Sequence, residues 1–274
     1  MNELEEQGKL LKKLEDVNEK LIASEKLKSQ FLSNIRNEIN NPLTSILGLS
    51  KKIPSYVNDE DALERVSRLI YQEAFSLDFQ LRNVFVAAEL ESGTLFPENT
   101  KIEIEHLVEQ IIHEFNHLIV EKELSVNLSN ESGIEHFNSD AEKIHLILSN
   151  LISNAIGFSN PKGAIDVTIN QVDNKLQVSI KDYGIGIDEK NHEVIYDRFK
   201  QLDAGSTKNH LGHGLGLSVT KELLEMIGGS ISLESEPDKG SKFTFEVEEN
   251  KDGLENLTLG GNEFLFDDGE DILF

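Results

Sequence analysis

Near residue 92 the spacing of apolar side chains changes from about three and a half residues to two, and a single layer of structure cannot satisfy both periods. Before the change, Leu10, Leu14, Val17 and Leu21 recur at alternating four and three, with Glu and Lys between them, which predicts a short coiled-coil seam. The stripe continues through Phe31, Ile35, Ile39, Leu43, Ile46 and Leu49 with Pro42 inside it, so one long helix with a local kink is expected. A break follows at "KKIPSYVNDED". Asp59 is then a candidate N-cap for a second helix, whose apolar face comprises Leu63, Val66, Leu69, Ile70, Leu77, Leu81, Val84, Phe85 and Leu90. The first 92 residues thus read as a helical hairpin. One hairpin covers only part of its own apolar face, so two copies are expected to pair as a dimeric four-helix bundle.

Beyond the turn-rich "SGTLFPENT" the order of elements is different. Helix-like stretches at 103–121, 139–157 and 216–227 accompany strand-like runs "IDVTINQV", "KLQVSIKDY", "GSISLESE" and "KFTFEVEE". This predicts an α+β chain: a coiled coil and helical hairpin followed by a two-layer α/β sandwich with a mostly antiparallel sheet. From residue 246 onward acidic side chains greatly outnumber the single Lys251. The tail reads as mobile or loosely docked, its "EFLF" and "DILF" pieces being amphipathic enough to dock.

Composition limits the partners. The chain has 274 residues and 38% apolar content, enough for one or two compact cores. No apolar run approaches the roughly 20 residues a membrane span needs, so a soluble chain is expected. "MNELEEQGKLLKKLEDVNEKL" scatters its charges among leucines, unlike a signal peptide. The absence of cysteine removes disulfides and thiolate metal sites and fits a cytoplasmic address. A net charge of −24 argues against nucleic acid or an anionic lipid surface as the main partner. Any phosphate must be held locally, by backbone amides or a metal.

Two glycine-bearing segments offer such a hold. "DYGIGI" (Asp182 to Ile187) follows a strand, and "GHGLGLSVTKELLEMIGG" carries Gly212, Gly214 and Gly216 into a helix. Glycines before a helix N-terminus let amides approach phosphate oxygens, although an ordinary loop has the same pattern. "NLISNAIGF" adds Asn150 and Asn154 at i and i+4, two carboxamides on one helical face. An amide oxygen is a suitable hard ligand for Mg²⁺; the plain alternative is an exposed polar face, against which Leu148, Leu151, Ile152 and Ala155 speak.

With these segments in hand, the chain resembles the core of bacterial sensor histidine kinases over about residues 20 to 248. "FLSNIRNEINNPLTSILGLS" is similar to the phosphoacceptor helix, "LSNLISNAIGF" to the N box, "DYGIGI" to the first glycine box, "IYDRF" to the F box and "GHGLGLSV" to the second glycine box. The resemblance implies a coiled-coil linker at 1–28, a dimerisation hairpin at 29–92, a Bergerat-type ATP-binding domain at 93–249 and an acidic tail at 250–274. It implies ATP and Mg²⁺ as cofactors, with Asn154 as metal ligand and Asn150 beside it at the phosphates. Asp182 would accept from the adenine amino group, and Gly184 and Gly186 would allow the turn under the base. Residues 199 to 216, from Phe199 onward, would form a lid hinged by Gly212, Gly214 and Gly216. The implied partners are a second copy of the chain and a response regulator receiver domain or another histidine kinase.

Three departures from the family pattern matter. Gly157 stands where a Lys is common, and Lys208 within the lid is a candidate to replace its charge. His213 stands where a small Thr is common, either as an added donor or as steric bulk. Most important, the family motif His-Glu-x-x-x-Pro-Leu reads here Asn37, Glu38, Pro42, Leu43. A carboxamide nitrogen is delocalised into its carbonyl and is not usefully nucleophilic, so autophosphorylation at residue 37 is expected to be absent. Glu38 loses its substrate. Glu38 and Asn41 keep a pattern that in some such proteins orients the water that dephosphorylates a receiver, whereas Asn41 otherwise simply precedes Pro42. A receiver phosphatase, or an active kinase whose His was replaced by Asn, are the alternatives to an acceptor-less signalling protein. The cluster His106, His113 and His117 reads as an exposed helix face rather than a metal site.

Overall fold

The computed structural model describes residues 39–200 and 214–250, together with scattered positions between 11 and 37 that include Asn37. Leu10 and Leu21 of the expected coiled-coil seam, Glu38, Lys208, Gly212, His213 and the acidic tail beyond residue 250 lie outside the described residues. Of the seam, Leu14 and Val17 are described, and both are exposed.

Residues 39–50 are helical (α1) and contain Pro42, which is buried. A 3₁₀ turn at Ile53–Tyr56 leads to α2 (Glu60–Ser92). Asp59 caps α2 as expected: its carboxylate accepts from the Ala62 amide at 3.0 Å, satisfying one of the free N–H groups of the first turn. The helix stops at Gly93, whose φ of 68° is a conformation glycine adopts without Cβ strain. The amides of Gly93 and Thr94 turn back to the carbonyls of Leu90 and Glu89 at 3.2 and 3.1 Å.

The second part holds α3 (Ile104–Glu114), α4 (Asn116–Glu121), α5 (Ala141–Phe158) and α6 (Gly216–Met226). Among the described residues seven strands accompany them: β1 (Thr100–Glu103), β2 (Ser125–Asn130), β3 (His136–Ser139), β4 (Ala164–Val172), β5 (Lys175–Asp182), β6 (Gly229–Glu236) and β7 (Gly240–Glu248). β1 and β3 form an antiparallel pair, and the larger sheet has the order β2-β4-β5-β7-β6. Only the β2–β4 pairing in it is parallel.

Strict alternation explains the two layers. Ile165, Val167 and Ile169 of β4, Leu176, Val178 and Ile180 of β5, and Phe243, Phe245 and Val247 of β7 share one buried face. Against it lie Leu107, Val108 and Ile111 of α3, Ile144, Ile147, Leu148 and Leu151 of α5, and Val219, Leu223 and Leu224 of α6. Each fully buried side chain of this size contributes about 1.5–3 kcal/mol.

The expected helix at 103–121 is divided at Phe115, where the backbone turns and the ring enters the core. Three short strands, β1 to β3, are not among the expected runs: β1 and β3 are only four residues long, and β2 alternates Val126 and Leu128 toward the core over only six. β2 is held at the sheet edge by its parallel ladder and by side chains such as Asn127, which donates to Asp166 at 2.8 Å. The apolar face of α2 also differs from expectation. Phe75 and Phe79 meet the Phe115 ring edge-on at 5.2 and 5.5 Å, and Ala87 joins the same core, while Leu69 and Phe85 are exposed. The second half of α2 is thus packed against the mixed domain. Among the described residues no helix is long and apolar enough to cross a membrane.

Candidate functional site

β5 carries its alternating pattern up to Asp182 and buries it, leaving 3% exposure. The carboxylate accepts from the amide of Gly184 at 2.9 Å and from the backbone of Ser241. Burial pushes the carboxyl above its ordinary range, and these amide hydrogen bonds oppose the shift. Three stretches of backbone cross here. A Cβ at Gly184 would lie 1.9 Å from the Phe158 carbonyl oxygen at the end of α5, and one at Gly186 would lie 1.9 Å from that of Glu236. Gly240, at φ +88°, lies as close to Asp182 itself: its Cβ would meet the Asp182 carbonyl at 2.1 Å. Only residues without side chains permit this approach.

The same end of the domain receives α5, whose start is capped by Asp140 accepting from the Lys143 amide at 3.0 Å. Asn150 is 3% exposed and its Nδ2 donates to Asn83 Oδ1 at 2.9 Å, to the Gly216 carbonyl at 3.2 Å and to Thr220 Oγ1 at 3.4 Å. One turn later Asn154 is half-buried, and its carboxamide makes no hydrogen bond among the described residues. The two carboxamides therefore differ: one has its Nδ2 engaged at the junction of α2, α5 and α6, the other is available.

Gly157 faces open space, with nothing within 4 Å of a Cβ built on it. A cation nonetheless reaches the end of α5. Lys122 donates to the carbonyls of Ile156, Gly157 and Ser159 at 2.8, 2.6 and 3.4 Å, and burial lowers its pKa. A positive charge on the unpaired carbonyls of a helix C-terminus is stabilising. No local pattern in the sequence marks Lys122, which comes from 35 residues away.

Phe199, at φ +69°, donates its amide to the Gly214 carbonyl at 3.0 Å. Gly214 lies so close to Lys200 that its Cβ would be 2.6 Å from the Lys200 carbonyl. Phe199 and Lys200 thus lie directly beside Gly214. Beside it Arg198 pairs through both Nε and Nη2 with Glu222 of α6, and its Nη1 lies 3.8 Å from Glu91 of α2. The Tyr196 hydroxyl is buried, has no partner among the described residues and is pushed up to about 12 by desolvation.

Residues 139–251 match the family described as histidine kinase-, DNA gyrase B- and HSP90-like ATPase. Over 239 residues, 85% of this chain and 16% of the relative, the sequence is 30% identical to hybrid signal transduction histidine kinase D of Dictyostelium discoideum. The chain is a histidine kinase homologue. It spans between 16% and 30% of the length of the curated relatives it matches. The fold is shared with full-length ShkA in complex with AMPPNP, at a TM-score of 0.58 and 23% identity over 80% of this chain and 45% of that one. It is shared also with histidine kinase ThkA in complex with the response regulator protein TrrA, at 0.52 and 22% over 81% of this chain and 61% of that one.

In this kinase homologue Asn37 is helical and exposed, and Asn41 is exposed on α1. The three histidines do not converge on a ligand. His106 and His113 are exposed, whereas His117 stands half-buried against the Phe75 ring at 5.2 Å with its pKa lowered by desolvation. His145 sits 3.2 Å from Glu114.

Proposed function

We propose that this chain binds Mg-ATP within a dimeric signalling core and does not accept a phosphoryl group at residue 37. The observation that carries the first half is the glycine crossing around Asp182. An ionised carboxylate accepts only, which matches the donor amino group of adenine, and Gly184 and Gly186 leave the turn beside it free of side chains. Asn154 offers an unengaged carboxamide oxygen, a hard donor suited to Mg²⁺. Gly214 and Gly216 stand at the start of α6, where backbone amides and the helix dipole favour anions. The residues present therefore fit the group. Bound Mg²⁺ would shield phosphate charge that the chain's net charge of −24 otherwise repels. By the family resemblance Phe199, Lys208 and Gly212 would belong to a lid over the nucleotide. Asn150, with its Nδ2 already engaged, supports α6 rather than standing free beside the metal.

The second half rests on Asn37, whose amide nitrogen has no basic lone pair to attack phosphorus. A signalling role then falls to docking: a homodimer, in the cytoplasm, that binds a response regulator receiver domain or another histidine kinase. Support for a receiver partner comes from ThkA, which is in complex with a response regulator. Glu38 and Asn41 leave a receiver phosphatase as a second reading, since Asn41 is exposed and can hold a water. A native His at position 37 would restore an ordinary kinase.

Incubation with γ-labelled ATP, beside calorimetry with Mg-ATP, tests both halves. Mg-dependent binding heat and no label on the chain are expected, with Asp182→Ala weakening binding by about 1–3 kcal/mol. Asn37→His should yield an acid-labile, base-stable phosphoryl adduct. Label on the unaltered chain would refute the proposal, and absence of heat at millimolar ATP would refute nucleotide binding.

A further inference from the structure

We infer that Asn83 of α2 is a positioning residue for the nucleotide site, and that the docking of α2 sets the affinity for the phosphate-bearing, metal-bound part of the nucleotide. This rests on the nucleotide reading above. The two ends of the glycine-bearing segment are each tied to α2. At its exit, Asn150 donates to Asn83 Oδ1 at 2.9 Å and to the carbonyl of Gly216 at 3.2 Å, so one buried carboxamide joins α2 to the first residue of α6. At its entrance, Arg198 lies 3.8 Å from Glu91, one residue before Phe199, whose amide holds Gly214. Asn83 and Glu91 are eight residues apart on the same helix, between and beside the packed Phe79, Ala87 and Leu90.

The polarity of the Asn pair is fixed. Asn83 is 7% exposed and its own Nδ2 is committed to the Phe79 carbonyl at 3.1 Å, so its Oδ1 is the atom left to face Asn150. A carboxamide is nearly symmetric in shape, and its orientation is decided by the partners it finds. Here the Asn83 oxygen and the Gly216 carbonyl both demand Nδ2, which turns Asn150 Oδ1 against Gly216, 3.3 Å from where a Cβ would stand. Withdrawal of α2 removes the shortest of these contacts and leaves Asn150 held only by the longer ones to Gly216 and Thr220, at the start of α6. Because α2 contacts the start of α6 through Asn150, linkage requires the converse as well: bound nucleotide must tighten the docking of α2.

The test uses the full chain and Asn83→Leu, which keeps size and removes the acceptor. Mg-ADP affinity, measured by calorimetry, should fall about fivefold to tenfold, while affinity for adenosine, which has no phosphate, should not change. A general loss of structure would move both. Hydrogen exchange supplies a measurement on the unaltered protein: saturating Mg-ADP should slow exchange in the second half of α2, residues 75–90. Unchanged exchange there, or equal Mg-ADP affinity of the two proteins, would overturn the coupling. If the unaltered protein gives no heat with Mg-ADP, nucleotide binding itself fails and the coupling falls with it.

Discussion

Asp182 holds its place against its own solvation. Burial raises the carboxyl above the ordinary carboxylate range, and the Gly184 and Ser241 amides only partly offset this. A folded-state pKa above the unfolded one means that the group's contribution to stability is fully present below the unfolded value of about 4 and is lost as pH rises through the raised one. Asp182→Asn keeps an acceptor for those amides and removes the ionisation. Thermal melting of the nucleotide-free protein from pH 4 to 8 should therefore show the variant gaining on the unaltered chain as pH rises, the difference levelling off once the raised value is passed. A variant equally or less stable across that range would show that the carboxylate is well solvated. A destabilising carboxylate retained at such a position supports the proposed contact with adenine. Gly184 and Gly186 were legible in sequence as motif residues. Gly240 was not, since the backbone it must admit, that of Asp182, arrives from another strand.

At the scale of elements, α5 and α2 each have a feature that their own sequences do not show. The carbonyls at the end of α5 are satisfied by Lys122, which lies between α4 and β2. Lys122→Met keeps the aliphatic length and removes the donor, and urea titration should show a loss of about 1–2 kcal/mol in stability without a change of slope. No loss would mean that water serves those carbonyls equally well. α2 was legible as amphipathic, and Asp59 as its cap, from local pattern alone. Its second face, with Phe75, Phe79 and Asn83, was hidden because a helix of this length carries apolar side chains all round, and periodicity does not say which of them meets the same chain.

For the whole molecule the open question is what covers the remaining apolar side chains of α2. Packing against the mixed domain leaves Phe85 at 61% exposure, with Leu69 and Tyr71 also exposed and Leu77, Leu81 and Val84 half-buried. Pairing of two hairpins would bury them. Sedimentation of the full chain at tens of micromolar should give a dimer, and Phe85→Glu should shift it toward monomer, because an exposed site tolerates the charge in the folded chain but not within a shared core. A monomeric unaltered chain would remove the four-helix bundle.

Local information determined the helices and four of the strands, the α+β class, and the glycine and asparagine segments, because period, caps and turn residues act over a few neighbouring positions. The missing imidazole at residue 37 was equally plain, since nucleophilicity belongs to the side chain itself. Tertiary structure alone decided the strand order β2-β4-β5-β7-β6, the division of 103–121 at Phe115, and the different fates of Asn150 and Asn154. Those two residues are chemically identical and share one helix. What separates them are contacts with Asn83, Gly216 and Thr220, 66 to 70 residues away, and partners at that distance leave no trace in the sequence around either one.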